Sequence, residues 1–414
     1  MRVLVAGAGG VGEAIGAVAR GRNFVDLMVF GDIEEGRARY VADRMNDDRF
    51  QAVRLDASDA DSIAQTAVRF SADAVVNACD PRFNPSIFQG AFDAGCTYVD
   101  MAMTLSQPHP ERPYEETGVM LGDEQFAQSH RWKEANLLAL VGMGVEPGLS
   151  DVFARHAADH LFSSIDEIGV RDGANLQVQG HPFAPTFSIW TTIEECLNPP
   201  LIYERERGWY TTEPFSEPEI FSFPEGIGDI ESVNVEHEEV ILIPRWIDVG
   251  RVTFKYGLGT EFIEILKTLH LLRLDSTQKV RVGNVNVSPR DVVAAVLPNP
   301  ASLGEKMRGK TCAGTWVRGT GKDGLPKEVY LYHVVDNQEC MARYGAQAVL
   351  LQTALNPVVA LELIDANVWQ GAGVLGPEAF DASPFLEVLA EYGHPHAVED
   401  RSPSSSPSDP PDRP

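Results

Sequence analysis

Positive charge is scarce in this 414-residue chain: 34 Lys and Arg stand against 60 Asp and Glu, a formal net charge of −26. Such a balance repels phosphate backbones and anionic membrane surfaces, so neither nucleic acid nor a membrane is an expected partner. Cysteine is sparse as well. Cys79, Cys96, Cys196, Cys312 and Cys340 are odd in number and form no CxxC pair, which excludes a disulfide framework and a zinc knuckle. A reducing, cytoplasmic setting is expected, with no metal. Long apolar runs are missing too: the most apolar segment, 348–364, is interrupted by Gln352, Asn356, Pro357 and Glu362. That falls short of the roughly 20 apolar residues a membrane span needs. The opening MRVLVAGAGGVG reads as a strand running into a turn, not a secretory leader, and a soluble protein is expected. What is plentiful is apolar sequence in short pieces, 44% hydrophobic in total, enough core for two domains.

The first hundred residues alternate apolar runs (3–6, 27–30, 52–55, 74–77 and 97–100) with stretches of helical length and spacing (12–20, 35–45, 62–70 and 85–94). That rhythm predicts a parallel α/β sheet covered on both faces, with a sixth strand at 138–141. After Pro147 and Gly148 the texture changes to longer polar and β-branched segments, which predict a mixed or antiparallel sheet. Its expected strands are 240–243, 252–254, 280–282 and 329–334, with helices at 261–272 and 289–296. Helical patterns return at 344–363 and 384–392 and are expected to pack back on the first domain. The predicted organisation is 1–145, 146–343 and 344–396, with a disordered Ser/Pro/Asp tail at 397–414.

Gly7-Ala8-Gly9-Gly10-Val11-Gly12 is a GxGxxG pattern lying directly between the first strand and the first helix. In that context it predicts a dinucleotide site: Gly7 for the tight turn, Gly9 for backbone approach to a pyrophosphate, Gly12 for close helix packing. The helix N-terminus, at Gly10 and Val11, would face the phosphates. Asp32 follows Gly12 by 20 positions, where a carboxylate holds the ribose 2′-hydroxyl of NAD and would repel the 2′-phosphate of NADP. NAD is therefore favoured, with Arg37 and Arg39 keeping NADP open. Asp56 is either an adenine-side contact or the cap of the next helix. Ligands of such doubly wound Rossmann sheets bind beyond the carboxyl ends of the strands, so Asn77, Ala78, Cys79, Asp80, Asp100 and Met101 are placed on the nicotinamide side. Cys79 has no adjacent base in sequence and reads as a lining residue rather than a nucleophile.

Across residues 7–393 the chain resembles the saccharopine dehydrogenase family, whose members interconvert imines and secondary amines with a nicotinamide cofactor. The likeness is greatest to its carboxynorspermidine and carboxyspermidine dehydrogenases. The resemblance rests on GAGGVG at 7–12, TYVDMA at 97–102, GVEPGLSDVFARHAADHLF at 144–162, GHPFAPTF at 180–187 and VEHEEV at 235–240. It continues with LPNPASLGEKMRGKTCAG at 297–314, YLYHVVDNQEC at 330–340 and GVLGPEAFDASPFLEVL at 373–389. Three stretches depart from the family pattern: Gly31-Asp32-Ile33, Val335-Asp336-Asn337 and Leu355-Asn356-Pro357. A Pro- and Glu-rich insert, 106–123, is expected beside the mouth of the site.

The resemblance implies imine chemistry, which needs a proton donor near nitrogen and cations for substrate carboxylates. Proton-transfer candidates are His181, His237, Lys255, Tyr256 and Asp100, the two histidines first because they titrate near neutrality. Arg171 and Lys255, at expected strand ends, and Lys310, in a family-like block, are candidate carboxylate clamps. Glu146, Pro147 and Gly148 mark the crossover where a cleft should open, and Glu146 can hold an ammonium or cap the helix that follows. Phe183, Phe187 and Trp190 are either pocket aromatics or core. His156 and His160, four apart, have a spacing that binds zinc, but no third ligand is visible and they read as structural.

The expected protein is thus a cytoplasmic, homodimeric, NAD(P)-dependent oxidoreductase joining an aldehyde and an amine into a carboxylated secondary amine, or the reverse. Lysine 6-dehydrogenase-like deamination and a non-catalytic cofactor sensor are the alternatives.

Overall fold

The computed structural model describes residues 1–181 and 183–402. The N-terminal unit is a seven-stranded sheet, parallel throughout. Its elements are β1 (Arg2–Ala6), α1 (Gly10–Ala19), β2 (Leu27–Asp32), α2 (Glu35–Met45), β3 (Phe50–Arg54), α3 (Ala60–Phe70), β4 (Ala74–Asn77), α4 (Asn84–Ala94), β5 (Thr97–Asp100) and β6 (Leu138–Leu140). The order across the sheet is Gly373–Leu375, β6, β5, β4, β1, β2, β3. The chain reverses direction across the sheet between β1 and β4, which opens a crevice at their carboxyl ends. The seventh strand, Gly373–Leu375, comes from the far end of the chain and pairs with β6. At three residues it is too short for its pattern to show in sequence.

The second sheet has nine strands and is mixed: Val249–Gly257 runs parallel to Phe162–Ala174, and its other pairings are antiparallel. The expected strand at 240–243 is a helix, Glu239–Trp246. Val240, Ile241, Leu242 and Ile243 are all buried, and a run of four buried apolar residues shows no 3.6-residue periodicity to distinguish a helix from a buried strand. The expected disorder from 397 onward is also corrected: Ala397–Asp400 pairs antiparallel with Pro326–Asp336. Backbone bonding to an open sheet edge requires no apolar burial, and Arg401 adds stacking over Phe221 and Tyr330 at 4.6 and 4.9 Å. Residues 403–414 of that expected tail lie outside the described residues.

One helix, Ala348–Asp365, is long and apolar enough to cross a membrane by length and composition, yet 78% of it is buried inside the fold, where it packs on α1. The 106–123 insert lies against the Leu201–Glu204 and Gly208–Thr211 strands, where Thr211 Oγ1 donates to the Glu116 carbonyl at 3.1 Å.

Candidate active site

A cleft of about 320 Å³ opens where the two sheets meet. One wall is Gly9, Gly10, Val11, Asn77, Ala78 and Cys79, and the other carries Glu146, Pro147, Phe187, Glu195 and Glu238.

The glycine-rich turn fits a dinucleotide. Gly7 has φ +104°, and a Cβ there would meet the Ala78 carbonyl oxygen at 2.7 Å; one on Gly12 would lie 2.1 Å from the Gly7 carbonyl oxygen. Only glycine allows the helix to start so close to the strand, while the space beside Gly9 is open. Asp32, at the end of β2, is fixed by the amides of Ala8 and Glu34, both at 3.0 Å, one on each carboxylate oxygen. Arg37 folds over the turn onto the Ala8 carbonyl at 2.7 Å and pairs with Glu13 at 2.8 Å, so its charge is already compensated. Arg39 pairs outward with Glu35. Asp56 binds the Ser58 amide and hydroxyl at 3.0 and 2.6 Å, and the cap of α3 is Asp59 instead.

Asn77 is held by Asn84 at 2.6 Å and accepts the Cys79 amide at 3.0 Å, which shapes the turn after β4. Burial, with Asp32 and Asp80 nearby, pushes the Cys79 thiol up to about 12, so it lines the cleft as a neutral group.

Opposite the turn, carboxylates converge on His237. Its Nδ1 meets Glu239 Oε2 at 2.5 Å and Glu238 Oε2 at 3.4 Å, and its ring stacks on Phe254 at 3.8 Å. Burial opposes its charge, but Glu239, Glu238 and Glu195 outweigh burial and raise it to about 10, so it stays an imidazolium at neutral pH. Glu238 also accepts the Met103 amide at 3.0 Å, and Glu239 the Ser150 hydroxyl at 2.8 Å. Burial raises Glu195 to about 8 and Asp172 to about 6, and burial beside Asp172 pushes Glu146 well above the usual carboxylate range. Glu146 accepts the Gly314 amide at 3.2 Å, and Gly148 donates to Asp151 at 2.7 Å at the start of the following helix. Glu146 therefore faces the cleft and caps nothing. The Glu146–Pro147 peptide bond is cis.

Several expected site residues lie elsewhere. Successive strand residues point to opposite sheet faces, and Arg171 and Lys255 are register partners, as are Asp172 and Tyr256. Tyr256 thus stands with the acidic cluster. Arg171 and Lys255 face away from it, and both bind Glu219, at 2.5 and 2.7 Å. They hold a hairpin rather than a substrate. Lys310 reaches Glu225 at 3.4 Å, also outside the cleft. Asp100 is buried, with its two oxygens on Gly142 N and Gln125 Nε2, each at 2.7 Å, which makes it a strut of the loop after β6. Burial raises it to about 7, against those two bonds. His181 sits in the turn after Val178, to whose carbonyl its amide donates at 3.2 Å; it does not line the cleft.

Phe187 lines the cleft, Phe183 packs on Phe262, and the Trp190 ring is covered by Arg82 and Arg290, 4.4 and 4.7 Å from its centroid. The departures at 337 and 356 are scaffold: Asn337 bonds the Gly304 and Met307 carbonyls, and Asn356 that of Gln352. Asp172, Glu195, Glu238 and Glu239 escaped the sequence reading. For Glu238 and Glu239 the available signal was positional, since both follow His237 in one block; Asp172 and Glu195 carried no such mark.

Two family models match, the saccharopine dehydrogenase NADP binding domain over residues 3–140 and the saccharopine dehydrogenase C-terminal domain over 144–394. The chain is 28% identical over 396 residues to carboxyaminopropylagmatine dehydrogenase of Synechocystis sp., covering 95% of this chain and 96% of that one. It is also 28% identical over 420 residues to carboxynorspermidine synthase of Vibrio alginolyticus, covering 97% and 98%. Among solved structures, apo saccharopine dehydrogenase (L-Glu forming) of Saccharomyces cerevisiae shares the fold at 12% identity. Its TM-score is 0.69, with 97% of this chain and 100% of that one covered. Homospermidine synthase of Legionella pneumophila, in complex with NAD, gives TM-score 0.65 at 15% identity, covering 99% and 95%. The chain belongs to the saccharopine dehydrogenase family and is an NAD(P)-dependent oxidoreductase acting on CH–NH groups.

Proposed function

We propose that this enzyme reduces the imine formed from an aldehyde and a cationic amine, giving a carboxylated secondary amine. The observation that carries this reading is the lining of the cleft: Glu146, Glu195, Glu238 and Asp80 line it, and no Lys or Arg does among the described residues. An ammonium group meets no cation in such a wall, and its N–H groups find carboxyl oxygens there to accept them. The names of the cyanobacterial and Vibrio relatives, built on aminopropylagmatine and norspermidine, support an amine of this kind.

NAD(P)H, when bound, would supply the hydride to the imine carbon and leave as NAD(P)+. Glu146 and Glu238 orient the amine by accepting its N–H groups. Glu195, protonated at neutral pH, stands at the wall to donate the proton that the nitrogen needs as the C=N bond becomes C–N. His237 does not carry that proton; it holds the charge balance of the carboxylates around it.

Asp32 favours NAD over NADP, because a 2′-phosphate would approach a carboxylate while Arg37 is engaged by Glu13. We read residues 1–145 as the cofactor unit, 146–343 as the substrate unit, and 344–396 as returning to the first. We also read the enzyme as a cytoplasmic homodimer. The five cysteines are free, and Leu271, Val282 and Val296 lie open to solvent on the second unit, at 82%, 57% and 75% exposure.

A spectrophotometric screen tests the reaction. NADH is offered with aspartate semialdehyde or aminoadipate semialdehyde, each alone and paired with diamines, agmatine or glutamate. Oxidation that requires both partners and prefers the polycationic amine is the expected result. Oxidation of lysine alone by NAD, or a preference for glutamate over diamines, would contradict it.

A further inference from the structure

The two walls of the cleft come from different units, and a side-chain contact joins them beside it. Asp80 and Pro81 line the cleft on the side of the glycine-rich turn, while Ser188, Thr191 and Glu195 line it from the helix Ile189–Leu197 and its cap. Arg82, next to Pro81, reaches from the first wall to the second, its guanidinium carbon 4.4 Å from the centroid of the Trp190 ring. Asp80 aims that guanidinium through two hydrogen bonds, at 2.8 and 3.1 Å, one to each carboxylate oxygen. Trp190 is anchored in turn within the second unit. Its Nε1 donates to Asp291 at 3.3 Å, and Arg290 lies 4.7 Å from its centroid. Arg290 pairs with Glu194, the neighbour of Glu195, and donates from Nε to the Asp275 carbonyl at 2.6 Å. Two guanidinium groups can share one indole because Asp80 and Glu194 each neutralise one of them.

We propose that Arg82 and Trp190 form a clasp that sets the spacing of the two cleft walls, and that both are positioning residues for hydride transfer. Neither lines the cleft, so each acts through its neighbours. Hydride transfer needs donor and acceptor carbons about 3–3.5 Å apart, and a misplacement of about 1 Å costs on the order of 100-fold. Groups carried by separate units keep such a distance only when the units are tied. The series Asp80, Arg82, Trp190, Arg290 and Glu194 is a tie of this kind: it starts at a residue of one wall and ends beside Glu195 on the other. Arg290 is buried whereas Arg82 is exposed, so the clasp is fixed on the second unit and open to water on the first. A cation–π contact with an exposed partner is weak enough to part when ligands enter and leave. The inference requires a nicotinamide cofactor in the cleft and does not depend on which amine is reduced.

The test is a double-mutant cycle on the full-length protein with Arg82→Ala, Trp190→Ala and both together, and Trp190→Phe as the conservative variant. Thermal melting checks that each is folded. Each single alanine variant should lower kcat about tenfold or more while the Kd of NADH stays within about twofold of native. The double variant should be no slower than the slower single one, because residues that act as a unit are not additive. Trp190→Phe keeps a ring for Arg82 and should stay within about threefold of native. Losses that multiply in the double variant, an unchanged kcat, or a Trp190→Phe as slow as Trp190→Ala would each overturn the clasp. Should the native enzyme turn over no aldehyde and amine pair, the imine reading fails instead. The cycle is then read on the emission of bound NADH, which the native chain should enhance and the three alanine variants should enhance less, all to the same extent; equal enhancement by native chain and variants would overturn the clasp.

Discussion

Asp32 and Glu195 show how much a single side chain decides. Asp32 was legible because the glycine pattern fixes a distance along the chain, and counting 20 positions from Gly12 lands on the carboxylate that the Ala8 amide holds at 3.0 Å. Asp32→Ala should weaken NAD binding on the order of 10-fold, the worth of a charge-assisted hydrogen bond or more. The same change should narrow the gap to NADP, both read by fluorescence titration. An unchanged NAD affinity would remove Asp32 from the cofactor site. Glu195 was not legible, since nothing local marks one glutamate in a helix as the wall of a cleft formed from distant segments. Glu195→Gln keeps the shape and removes the proton that Glu195 would donate. It should lower kcat and raise the KM of the amine about tenfold or more, with NADH affinity unchanged. Equal losses for amine and cofactor would point to a folding defect instead.

The N-terminal strands and helices could be read from sequence because each apolar run is bounded by a turn and each helix keeps one polar face. The helix Glu239–Trp246 could not, since its first five residues are all buried and show no polar face, and its β-branched residues favour a strand. Its buried residues are core, so Ile241→Ala should cost about 2–5 kcal/mol of unfolding free energy in urea. A cost near zero would mean the segment is not packed as described. Arg171 and Lys255 were misplaced for a related reason. The strand that ends near Lys255 was recognised and that of Arg171 was not, and which face each residue takes is set by the register of Val249–Gly257 with Phe162–Ala174 and by the hairpin that brings Glu219.

The assembled molecule carries a pH signature that no segment has alone. Glu195 and Asp172 titrate near 8 and 6 in the fold and near 4 when unfolded, and His237 near 10 against 6.5. In each case the folded state holds its proton to higher pH than the unfolded chain does. Their contribution to stability is therefore fully present at low pH and is lost as pH rises through 6 to 10. The Tm should fall from pH 6 to pH 9, and Glu195→Gln should flatten the acidic half of that decline. A Tm that rises over this range would contradict the burial assigned to these groups. Association belongs to the whole molecule as well: light scattering should give twice the mass of one chain, and Leu271→Glu with Val296→Glu should return it to one. The central claim is hydride delivery to an imine carbon, and deuterium tests it most directly. With NADH deuterated at nicotinamide C4 on the transferred face, an amino-acid semialdehyde and a diamine, mass spectrometry should find a secondary amine carrying one deuterium on the former aldehyde carbon. Deuterated alcohol as the product, or no incorporation while the cofactor binds, would contradict it.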